Sequence, residues 1–144
     1  MKRRISTIAV LSLSLFVLIF CLTSCGFHLA VGKLTVTPKA EEMLTAISEN
    51  RAEDAKAMMH PSYTEDANLG IEQMSGYLLG KEAEEMTVIT FDISTSYGSD
   101  KVRRETATYQ VRFTDGDIAH ISVDHLSDSE GEGFLSFQLI LGIS

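Results

Sequence analysis

The chain has no tryptophan, two prolines and two cysteines, and both cysteines fall within the first 25 residues. Beyond residue 25 there is no thiol, which excludes disulfides and cysteine-ligated metals from that region. Cations are scarce as well: 12 Lys+Arg stand against 20 Asp+Glu, a formal net charge of −8. Nucleic-acid binding rests on Lys and Arg neutralising phosphates, so this balance argues against it. It also argues against a surface that lies flat on anionic lipid. A serine elbow, a glycine-rich phosphate loop, a CxxC pair and a Cys–His arrangement are all missing from the sequence. There is no internal repeat or low-complexity tract, and Gly and Pro are too few for a disordered composition.

What is present begins at the N-terminus. Lys2, Arg3 and Arg4 precede an apolar run, Ile8 to Leu22, broken by Ser12 and Ser14. This is the layout of a secretory signal peptide. The uncharged stretch approaches the ~18 residues of a membrane-span candidate, so hydropathy alone leaves an uncleaved single span open, with Cys25 an ordinary buried thiol. Leu22-Thr23-Ser24-Cys25-Gly26 decides between the two. It resembles the lipobox of bacterial lipoproteins: a branched apolar residue, two small residues, then cysteine. That resemblance implies a diacylglyceryl group on the Cys25 thiol and cleavage of the leader immediately before it. Cys21 does not compete, because bulky Phe20 precedes it. The expected location is the extracytoplasmic side of a bacterial cell membrane, held by acyl chains, two of which give long-lived anchoring where one gives marginal binding.

Three segments are expected: a signal peptide over 1–24, the lipidated Cys25 with a short tether over 25–36, and a domain over 37–144. Removing residues 1–24 from the 144 leaves 120, enough for one domain with its own core. The three leader cations go with it, and the charge becomes −11, from 9 Lys+Arg against 20 Asp+Glu.

Within the domain, helical spacing comes first. Thr37-Pro38 predicts a helix start, with Met43, Leu44 and Ile47 on its apolar face. Asn50-Arg51-Ala52-Glu53 has capping-box spacing for a second helix, which His60-Pro61 ends. A third is expected from Leu69 to Leu79. From Glu85 the period becomes two. Strands are expected over 87–95 with Ile89, Phe91 and Ile93 on one face, over 102–114 with Ala107, Tyr109, Val111 and Phe113, over 118–126 with Ala119, Ile121 and Val123, and over 134–141 with Leu135, Phe137, Leu139 and Leu141. Asp115-Gly116 is a hairpin signal. Helices followed by a four-stranded antiparallel meander predict an α+β fold.

This element order, with the broken helical pair "EEMLTAISENRAEDAKAMM" and the long hairpin from Thr108 to Val123, resembles the nuclear transport factor 2-like (cystatin-like) superfamily. The resemblance implies helices packed on a curved four-stranded sheet around a cone-shaped cavity. Relatives use that cone as an active site or a ligand pocket, or fill it with side chains, so residues must decide function. Parity selects Tyr109 as a hydrogen-bond donor and His125 as a base on the core side, with Glu105 on the same side near a strand end. Asp92, His120 and Asp124 fall on the other side. His120 and Asp124 do not make a zinc site, and Asp128, Glu130 and Glu132 read as a solvated acidic turn. No metal or cofactor is implied. The favoured function is a non-enzymatic anchored domain that binds a small apolar ligand, a peptide or a protein. The alternatives are a ketosteroid-isomerase-like enzyme and a structural accessory protein. The polar face bearing Thr106, Thr108, Gln110 and Arg112 is a candidate homodimer surface, since that sheet face often serves so in the superfamily.

Overall fold

Val36–Ser48 forms the first helix, α1, and buries Val36, Ala40, Met43, Leu44, Ala46 and Ile47 along one face. The computed structural model describes residues 32–63 and 66–140. The expected cap, Thr37, lies inside this helix. Thr35 is the residue at the cap, and its side chain makes no bond to the helix's own N–H groups. The first of those groups, Val36 N–H, is taken together with the N–H of Thr35 by a carboxylate from the sheet, as described below. Asn50 is not the cap of the next helix either. Its φ of 59° puts it in the left-handed region, which Asn tolerates better than most residues. From there Asn50 N–H bonds the carbonyl of Ile47 at 3.1 Å and Arg51 N–H bonds that of Ala46 at 2.7 Å. These are the paired bonds of a Schellman motif, so Asn50 closes α1.

The second helix, α2, is Ala52–Ala57, and His60-Pro61 lies beyond its end. The third, α3, spans Asp66–Leu78, beginning three residues before the expected start, and buries Ile71, Met74 and Leu78. Gly80 follows with φ 75°, which stops the helix.

Four strands complete the fold: β1 Ala83–Tyr97, β2 Lys101–Phe113, β3 Ile118–Ser127 and β4 Glu132–Ile140. They pair in sequence order, every neighbour antiparallel. The chain is therefore α+β, with helices preceding an open antiparallel meander. Ala107, Tyr109, Val111 and Phe113 of β2 and Ala119, Ile121 and Val123 of β3 are buried, as period two requires.

Two bulges break the parity read from the sequence. In β1, Val88 opposes Tyr109 and Thr90 opposes Thr108, which leaves Ile89 as the extra residue, 42% exposed. A bulge shifts every later side chain by one face. Val88 and Ile93 therefore share the inner side, and Ile89 does not. In β4, Phe134 opposes His125 and Ser136 opposes Asp124, so Leu135 is the extra residue. Phe134 is fully buried and stacks edge-on to Phe137, with ring centroids 5.5 Å apart.

The end of α2 is stitched to β4. Phe134 N–H donates to Met58 O and His60 N–H donates to Phe134 O, both at 2.9 Å, a short parallel bridge. Gly133 makes this approach feasible: a Cβ there would lie 2.4 Å from His60 N. The helices and strands described above belong to one compact unit that begins at Thr35. Among the described residues no helix is long and apolar enough to cross a membrane.

Candidate functional site

Cys25 and Cys21 lie outside the described residues. The other two sequence-selected residues, Tyr109 and His125, both point into the core and are buried. Glu105 is buried with them. It precedes Tyr109 by four residues on β2, hence on the same face, and it pairs with His125 across the ladder.

Glu105 has both oxygens engaged. Oε2 accepts the N–H groups of Thr35 at 2.9 Å and Val36 at 3.0 Å. Oε1 accepts the Thr35 hydroxyl at 2.8 Å and Arg103 Nε at 2.5 Å. A strand carboxylate thus caps α1, satisfying N–H groups that a helix leaves open and setting negative charge at the positive end of its dipole. Burial pushes the Glu105 carboxyl upward, but the Thr35 hydroxyl, Arg103 and the two backbone N–H groups outweigh it and hold the group below its ordinary value.

Tyr109 hydroxyl lies 3.1 Å from Thr37 Oγ1. Burial raises its pKa, the Thr37 bond opposes this, and the charges of Glu105 and Glu41 add to the rise. His125 packs edge-on to Phe134, with centroids 5.2 Å apart. Its Nε2 is 3.8 Å from Glu132 Oε1, too far for a hydrogen bond. Burial lowers the His125 pKa, and the positive charge of Lys39 lowers it further against the pull of Glu132. The histidine is kept neutral. Lys39 itself pairs with Glu132.

Glu105 and Tyr109 are bonded to their own chain. A general base needs a free lone pair beside substrate. Glu105 has none, and the Tyr109 hydroxyl is committed to Thr37. Among the described residues no buried side-chain nitrogen or oxygen lacks a partner. No group of three His, Cys, Asp or Glu among them could hold a metal ion.

On the opposite face of the sheet, Thr90, Asp92, Thr106, Thr108 and Ser122 help to line a hollow of about 350 Å³. Charges flanking it are paired: Arg104 with Asp124, and Arg112 with Glu84 and Glu85. This is the face that the sequence gives to Thr106, Thr108, Gln110 and Arg112. It is hydroxyl-rich, its two arginines are paired with acids, and Asp92 lines the hollow.

A second cluster was not foreseen. His60, at the end of the α2 segment, is 2% exposed. Its Nδ1 lies 2.7 Å from Ser62 Oγ and its Nε2 lies 3.1 Å from Asp128 Oδ1. Asp128 belongs to the turn read as a solvated acidic loop. Its Oδ1 also accepts the N–H groups of Glu130 at 2.8 Å and Gly131 at 3.2 Å, which hold its carboxyl below the ordinary value, chiefly through the Glu130 bond. A histidine after a short helix and an aspartate 68 residues later carry no common periodicity, so sequence spacing has no means of joining them. Glu105 did give a signal: a carboxylate on core parity must find donors.

No family model, curated protein or solved structure matches the chain.

Proposed function

We propose that the protein is a lipid-anchored, extracytoplasmic domain of a bacterial cell membrane that acts by binding a small apolar ligand, a peptide or a partner protein. The observation that carries this reading is Leu22-Thr23-Ser24-Cys25-Gly26 at the end of a basic-then-apolar leader. The binding part is supported by the state of the buried cluster. Glu105 is spent on capping α1 and the Tyr109 hydroxyl is bonded to Thr37, whereas a ketosteroid-isomerase-like enzyme needs an available carboxylate beside a free donor. The finer architecture proposed is the nuclear transport factor 2-like cone, supported by three helices preceding a four-stranded meander in the described residues. The hydroxyl-rich outer face supports a homodimer contact, since self-association of an acidic chain is less opposed where arginines pair with its carboxylates.

The test is intact-mass analysis of the protein extracted in detergent from its host. The mass expected is that of a chain beginning at Cys25 and carrying acyl groups, and Cys25→Ala should leave an unprocessed precursor. A mature chain without acyl mass would overturn the anchor. Native mass spectrometry of the same sample reads the binding part: a retained ligand or a second protein is expected, and a chain that is bare in every preparation would reject it.

A further inference from the structure

Ser62, His60 and Asp128 form a relay at the surface end of the α2–β4 stitch. The histidine tautomer follows from its bonds. The backbone N–H of Ser62 donates to His60 Nδ1 at 3.1 Å, so Nδ1 is the unprotonated nitrogen. Nε2 then carries the proton and donates it to Asp128 Oδ1 at 3.1 Å. The His60 side chain is wholly buried, so its ring cannot turn away. Ser62 is exposed, and its hydroxyl lies 2.7 Å from the Nδ1 lone pair. A staple between two loops needs the imidazole and the aspartate alone. The serine hydroxyl, at 2.7 Å the nearer of the two Ser62 groups that share the Nδ1 lone pair, adds a nucleophile to a nitrogen held in the accepting form.

We infer that Ser62 is a reactive serine, with His60 Nδ1 as its general base and Asp128 as the group that holds the imidazole, and that it accepts acyl groups from activated esters or thioesters. In the step, Ser62 Oγ attacks the acyl carbon and its proton passes to His60 Nδ1. The Oγ–C bond forms, the bond to the alkoxide or thiolate breaks, and that leaving group takes the proton back from His60. Serine, histidine and aspartate act together on unrelated folds with Nε2 as the base and Nδ1–H held by the aspartate, and here the two ring nitrogens exchange those roles.

Magnitude sets the kind of reactivity expected. A positioned base contributes about 10²–10⁴-fold. An oxyanion donor contributes about 10²–10³ more, but the nearest N–H groups are already used: Ser62 on Nδ1 and Tyr63 on His60 O. Acylation of Ser62 is thus favoured over fast turnover. This inference concerns the loop after α2 and stands apart from the binding reading.

The experiment treats the purified full-length protein with a fluorophosphonate. Ser62 Oγ displaces fluoride at phosphorus and its proton goes to His60. Peptide mass spectrometry follows labelling of Ser62 and of Ser129, an exposed serine with no imidazole bonded to it. Ser62 should react about 100-fold faster than Ser129. His60→Gln should remove that excess, and Ser62→Ala should abolish the label at that peptide. Equal rates at Ser62 and Ser129 in the unsubstituted chain would reduce the trio to a loop staple, a result that does not depend on whether either variant folds.

Discussion

The carboxylate of Glu105 holds the N–H and the hydroxyl of Thr35, 70 residues earlier in the chain, at 2.9 and 2.8 Å. One side chain of the second strand therefore fixes where the first helix begins. Glu105→Ala should cost about 3 kcal/mol, because buried N–H groups and Arg103 lose their acceptor. Urea unfolding would measure it, and a loss under about 0.5 kcal/mol would mean that water replaces the carboxylate.

Acid should act on this fold in two windows. His125 is held below an ordinary imidazole, so the unfolded chain takes up a proton first as pH falls through about 6.5, and stability is lost from there down to the folded value. Glu105 is held below an ordinary carboxyl, so its contribution is complete above about pH 4.3 and disappears as pH falls through its lowered folded value. Stability curves of the unsubstituted chain and Glu105→Gln should run parallel above about pH 5 and converge below. Curves that converge near pH 6.5 instead would assign the carboxylate the wrong window.

Core and outer face should respond differently. Phe113 is 1% exposed and packs inward, whereas Thr108, five residues before it, faces the other way. Phe113→Ala should cost about 3–5 kcal/mol, much of a domain's stability, and Thr108→Ala should stay within about 0.5 kcal/mol. Thermal melts of the two variants decide the point, and similar shifts would contradict the register.

The β1 bulge gives a sharper contrast between neighbours. Ile89→Thr should be almost silent, within about 0.5 kcal/mol, while Val88→Thr puts a hydroxyl on the inner face and should cost about 1–3 kcal/mol. The reverse order would remove the bulge.

At the stitch, Gly133→Ala forces a Cβ against the backbone of Met59 and His60, at distances of 2.5 and 2.4 Å. Backbone cannot yield as a flexible side chain can, so about 1–3 kcal/mol is expected. Hydrogen exchange at the N–H of Phe134 and His60 should accelerate. Unchanged protection there would show that the bridge adapts.

Much of this fold is legible in the sequence wherever a single period runs unbroken. Tyr109, Val111 and Phe113, and Ala119, Ile121 and Val123, fall on the inner face because nothing interrupts their alternation. Ile89 and Leu135 were misplaced because a bulge inserts one residue without any compositional mark: each is apolar within an apolar alternation. Helix ends were misread for a different reason. Thr37 and Asn50 have the chemistry of caps, but Thr37 bonds Tyr109 and Asn50 takes a left-handed conformation to end the previous helix. The acceptor that caps α1 comes from a distant strand, and local sequence carries no trace of it. Tyr109 and His125 were located correctly as buried residues, yet their partners, Thr37, Phe134 and Glu132, depend on tertiary packing.

The bridge between Met59 and Phe134 also imposes an order in time. Residue 59 leaves the ribosome before residue 134, a gap of 75 residues. At about 5–20 residues per second that is ~4–15 s during which the bridge from α2 to β4 cannot form, although β1 to β3 are made before it. Contacts this far apart in the chain slow folding, since the intervening loop must close before they form. The segment after α2 is thus made early and secured late, whereas α1 gains its cap from β2 before the final strand emerges.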